Sequence, residues 1–162
     1  MADAVTTQIL QDGDRVAVVK FTNISDGTGE SAVTKLDISA DLAVHSRSKL
    51  APNRVTIKRI THNCSGMQVQ VIWEGTTDNT VAWICSGVED HSFEHEGPLS
   101  NNAPGELRTG DILFTTLNHT SNDTYSVVIE LVKKYEVPPL PAFYEGDPGD
   151  VELDVGERYY SP

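Results

Sequence analysis

The densest run of ligating side chains in the sequence is Glu89-Asp90-His91-Ser92-Phe93-Glu94-His95-Glu96. Two histidines four apart would share one face of a helix, an arrangement in which zinc is often held. Gly87 and Gly97-Pro98 bound the segment too tightly for a helix and favour a strand or loop. On a strand, His91, Phe93 and His95 fall on one face, with Glu94 and Glu96 displaced around them. No third ligand stands at motif spacing, so the expectation is a solvated acidic rim with no metal. A second stretch, Asp150-Val151-Glu152-Leu153-Asp154-Val155-Gly156, has the outline of a calcium loop. Its glycine comes one position late, and its twelfth residue is Ser161 where a bidentate glutamate is needed. Alternation explains it better: Val151, Leu153 and Val155 on one face, acids on the other, as in a strand that adds to a sheet edge.

Nucleophilic chemistry finds no support. The sequence has no G-x-S-x-G elbow and no glycine-rich phosphate loop leading from a strand into a helix. His45, His62 and His119 read as isolated residues, and no carboxylates stand out as a catalytic pair. Cys64 and Cys85 are expected to be free thiols. If the strands on either side of Gly75 to Asn79 form a hairpin, Val69 faces Cys85, and Cys64 lies about five residues away. At strand rise that is about 17 Å, too far for a disulfide, which needs Cα atoms within about 7 Å. The expectation is therefore a non-enzyme without a cofactor.

The elements that carry these residues read as strands. Met67, Val69, Val71 and Trp73 alternate with polar residues, as do Tyr125, Val127, Ile129 and Leu131. Ala32, Thr34, Leu36 and Ile38 form a third stripe, opposed by Lys35, Asp37 and Ser39. Val16 to Val19 and Ile112 to Phe114 are apolar on both faces, which suits central strands. Asp12-Gly13, Asp26 to Gly29, Ser65-Gly66, Gly75 to Asn79 and Ser121 to Asp123 supply turn chemistry between the runs. Asp41 to Pro52 and Glu96 to Thr109 are longer connections with room for a short helix or a crossing. The pattern predicts an all-β domain over residues 1–135, a two-sheet antiparallel β-sandwich of jelly-roll or immunoglobulin-like topology.

Residues 136–162 are built differently. They hold five of the eight prolines, three of the five tyrosines, and seven acids against Arg158 alone. Such a segment cannot bury a core of its own. Phe143, Tyr144, Val151, Leu153, Val155, Tyr159 and Tyr160 nevertheless make it a poor plain linker, and they are the expected contacts of an extended, partner-binding C-terminal arm. Across the whole chain the formal net charge is −12 and the pI about 4.6. That balance disfavours nucleic-acid backbones and anionic membrane surfaces. No apolar run approaches the ~20 residues of a membrane span. No secretory signal is visible, so synthesis in a cytoplasm is expected.

The segment Asp12-Gly13-Asp14-Arg15-Val16-Ala17-Val18-Val19-Lys20-Phe21-Thr22-Asn23-Ile24-Ser25-Asp26-Gly27-Thr28-Gly29-Glu30-Ser31 resembles a recurring start of small structural proteins of tailed bacteriophages. Gly110-Asp111-Ile112-Leu113-Phe114-Thr115-Thr116 and the strand from Tyr125 to Lys134 are similar to the same group. The arm departs from the short ending of that group. The resemblance implies a component of the virion, a capsid cement or decoration protein that binds the major capsid protein or another virion protein. A head–tail connector or tail component is the alternative, and a carbohydrate-binding or hydrolytic β-sandwich the third reading. Cement proteins sit at symmetric lattice positions, so self-association is expected, with a trimer preferred.

Overall fold

The computed structural model describes residues 4–101 and 108–135, excepting the side chains of residues 108 and 109. The arm and its seven named contacts lie outside the described residues. Eight strands and one helical turn follow in chain order: β1 (Thr6–Asp12), β2 (Val16–Asp26), β3 (Val33–Leu36), α1 (Ile38–Asp41), β4 (Arg54–Gly75), β5 (Thr80–Ser92), β6 (Leu99–Ser100), β7 (Arg108–Leu117) and β8 (Ser121–Lys134). Alternating Val, Ile, Thr and aromatic residues fit a pleated, half-buried surface, which is why these runs become strands. Asp37 caps α1, its carboxylate accepting from the backbone N–H groups of Ser39 and Ala40.

The expected all-β class and antiparallel pairing are present, but among the described residues hydrogen bonds join every strand into one sheet where two were expected. The order is β1-β2-β8-β4-β7-β3, with β5 and β6 also paired to β4. β4 is the reason. Over 22 residues it pairs with β8 from Arg54 to Ser65, then with β7 from Gln68 to Gly75. β5 follows its opposite edge through most of that length. Ser65-Gly66, which reads in sequence as a turn between strands, is a bend inside a single strand. Gly66 has φ +80° and Gly87, on the neighbouring strand, φ +66°, and the β4–β5 register shifts between Asn63 and Gln68. A bulge of this kind sharpens bend and twist while leaving the strand continuous.

The bend curls the sheet on itself, so that side chains from strands apart in the order meet. Phe21 of β2 meets Phe114 of β7 edge-on at 4.9 Å, and Phe114 meets Tyr125 of β8 at 5.8 Å. Val69, Val71, Trp73, Val127, Ile129 and Leu131, the residues expected in the core, are no more than 2% exposed. The hairpin register also follows expectation, with Val69 opposite Cys85.

The third stripe is only partly as expected. Leu36 and Ile38 are buried, whereas Ala32 and Thr34 are exposed, and Lys35 points inward. The Lys35 ammonium is enclosed because the Glu30 carboxylate pairs with it, while the Tyr125 hydroxyl donates to the same carboxylate at 2.9 Å. A buried charge of this type persists only when paired and hydrogen-bonded. Near the other end of β8, Lys133 pairs with Asp12 and donates to the Ala43 carbonyl at 3.0 Å. That contact helps tie the Leu42–Asn53 connection, which holds no helix, to the sheet.

Candidate functional site

Three places on the fold bring polar chemistry together. The first is the acidic cluster at the end of β5. Glu89, Glu94, His95 and Glu96 are exposed, as expected of a rim. His91 and Phe93 do share a face, with ring centroids 4.5 Å apart, and both pack on Trp83. His95 does not join them, because the chain leaves the strand after Ser92 and turns. His62, which reads as isolated in the sequence, arrives from the adjacent strand. Its Nε2 lies 3.5 Å from Glu89, whose other oxygen lies 3.8 Å from His91 Nδ1. Glu96 is 3.4 Å from His91 Nε2. The His62–Glu89 contact links β4 to β5, and His62 Nδ1 lies 3.3 Å from the carbonyl oxygen of Gly87, also on β5. Among the described residues, no group of three or more His, Cys, Asp or Glu side chains is arranged to hold a metal ion.

On the same strand pair Arg59 grips Asp90 with two guanidinium nitrogens, one at 2.7 Å. That bond, reinforced by the Thr61 hydroxyl, pulls the Asp90 carboxyl down to about 2. Cys64 and Cys85 are buried free thiols. Burial pushes the Cys64 thiol up to about 11 and the Cys85 thiol higher still. Neither therefore supplies the thiolate that nucleophilic chemistry requires. His119, which reads as a plain surface residue, lies half-buried over Gly29, where any side chain would collide with its ring.

The second place is the long edge of the sheet. Among the described residues β5 pairs with β4 alone, so its outer edge carries unpaired backbone groups. Val81, Ile84 and Val88 along it are 45%, 50% and 80% exposed. An accessible edge with apolar side chains is a template for pairing with another chain.

The third place is the open end of the curl, away from the bend, where the two ends of β4 come together. A cavity of about 300 Å³ lies there, lined by Arg54, Thr56, Trp73, Ser100, Asn101 and Lys134 among others. Gly110 also borders it, at φ +88°, where a Cβ would strike Ile38 and the Asn53 carbonyl. Arg54 and Lys134 are direct cross-strand partners, both exposed. Neither forms an ion pair with a described residue, unlike Lys35, Lys58, Arg59 and Lys133. The Thr56 hydroxyl is buried without a hydrogen-bond partner. Sequence reading missed this site, because Arg54 and Lys134 stand 80 positions apart and only the β4–β8 register unites them.

No family model, curated protein or solved structure matches the chain.

Proposed function

We propose that this chain is a non-enzymatic structural protein of a bacteriophage virion, a capsid cement or decoration protein that attaches to the shell of major capsid protein. The observation that carries the reading is the 13-residue β5 edge with its exposed Val81, Ile84 and Val88. An edge of that length and apolarity suits attachment to another protein surface better than turnover of a small substrate. The resemblance of Asp12–Ser31 and Gly110–Thr116 to small phage structural proteins supplies the class of partner. The arm adds a second attachment, since Val151, Leu153 and Val155 alternate with acids in the manner of a pairing strand, and Phe143, Tyr144, Tyr159 and Tyr160 are suited to anchoring it. Several weak attachments on one oligomer gain avidity of about 10²–10⁴, so no single contact has to be strong. The sandwich topology, jelly-roll or immunoglobulin-like, belongs to the same proposal: the curl sets Phe21 against Phe114 as two facing sheets would.

Quantitative mass spectrometry of purified virions tests it. A cement protein is present in hundreds of copies per particle, whereas a single small ring of copies would make it a connector or tail part. Its absence from virions would end the reading.

A further inference from the structure

The cations at the open end pair with no acid among the described residues. Like charges placed directly opposite on antiparallel strands repel, yet Arg54 and Lys134 hold that position. The chain has 24 acids for 12 lysines and arginines, and none of the described acids pairs with either of these two. Beside them lies the cavity of about 300 Å³, with Thr56 and Trp73 among its lining residues, and the Thr56 hydroxyl is buried without a hydrogen-bond partner. A buried hydroxyl without a partner is costly to the fold. Two exposed cations without an acidic partner among the described residues, beside a cavity, suit a carboxylate.

We infer that this cavity receives the acidic C-terminal segment, residues 136–162, of a second copy of this chain. One carboxylate of that segment accepts from Arg54 and Lys134, the two exposed cations at the cavity. The segment has the matching chemistry, with seven acids against one arginine, and with Phe143, Tyr144, Tyr159 and Tyr160. Its starting point also fits. In sequence it begins two residues after Lys134, which lines the cavity. Pro138, Pro139 and Pro141 each fix φ and favour an extended approach of about 3.1 Å per residue, which would let the following acids reach a neighbouring copy. Each copy would then give one segment and take one, a head-to-tail contact that forms a ring where the rotation between copies closes.

The inference rests on reading residues 136–162 as a binding segment, but its test needs no virion. The full chain is followed by sedimentation velocity beside its Arg54→Glu variant, with thermal melts of both. The wild type should self-associate at micromolar concentration, and more weakly as salt is raised. Arg54→Glu should weaken association at least about ten-fold while its melting temperature holds or rises, because the new carboxylate lies opposite Lys134. A purely structural role for Arg54 would move both readouts in the same direction. A synthetic peptide of residues 136–162, added in excess, should dissociate the wild-type oligomer. A strictly monomeric wild type, an Arg54→Glu variant that associates as before, or an oligomer indifferent to the peptide would each overturn the inference. If these results hold and the protein is absent from virions, only the virion reading fails. If copies crowd the virion but the chain is monomeric in solution, only this inference fails.

Discussion

Near the bend, the Glu30 carboxylate is enclosed by the Lys35 ammonium and the Tyr125 hydroxyl, and none of the three residues is more than 8% exposed. At the open end, Arg54 and Lys134 face each other across two strands with no described acid between them. Both sites set charge against a curled apolar core, but the first is complete among the described residues, whereas the second has no partner among them. A charge partnered from inside is bound up with the fold, since removing one member strands the other in a medium that cannot solvate it. A charge left facing its like, in water, contributes little to the fold and is free to serve recognition.

Substitutions should separate the two ends by size and by sign. Glu30→Ala leaves a buried ammonium unpaired and should cost about 3–5 kcal/mol, read as a lower urea midpoint with unchanged slope. Lys35→Met combined with Glu30→Gln should recover most of that loss, and a double variant as weak as the single would show that more than the stranded charge is at stake. Ile129→Ala, in the core, should cost about 2–5 kcal/mol by cavity formation and sets the scale for packing alone. Arg54→Glu should shift stability by less than about 1 kcal/mol, upward, by turning a cross-strand repulsion into an attraction. A loss as large as that of Glu30→Ala would erase the distinction between the ends.

Asp111, beside the open end, sharpens the contrast through pH. Burial pushes its carboxyl up to about 6, and nearby Asp37 and Glu74 add to the rise against the Ile38 N–H that it accepts at 3.0 Å. An unfolded aspartate titrates near ~4, so the folded state holds this proton more tightly. Its contribution is therefore present below about pH 4 and is lost as pH rises through about 6. Asp111→Asn should raise the melting temperature near neutral pH and leave it unchanged in acid, as thermal melts across that range would show. The smallest effect concerns the thiols. Denatured, non-reduced protein should take two labels per chain. Folded protein should take them slowly, since burial holds Cys64 near a pKa of about 11; fast labelling of the folded chain would mean that the bend opens readily.

Much of this fold is legible where neighbouring residues decide the outcome. The stripes at Met67–Trp73 and Tyr125–Leu131 announce strands and their inner faces. The short turn from Gly75 to Asn79 sets the hairpin register that places Val69 opposite Cys85. What sequence does not disclose depends on distant neighbours. A glycine at positive φ serves a hairpin turn and a mid-strand bend equally well. Gly66 is a bend because β8 and β7 take successive halves of one edge of β4. Lys35 breaks alternation because its partners come from Glu30, across the β3 approach, and Tyr125, 95 residues beyond that glutamate. The open-end cavity escapes notice for the same reason: its cations belong to strands that meet only in the folded sheet.

The pairing order has a consequence for the chain as it is made. β2 lies between β1 and β8, and Val19 opposes Ile129, 110 residues later. At about 5–20 residues per second, the first two strands wait on the order of 5–20 s before their partner leaves the ribosome. Throughout that time Phe21 and Val19 have no sheet to cover them. The domain therefore closes only after its last strand has been synthesised, and its earliest strands need protection from aggregation until then.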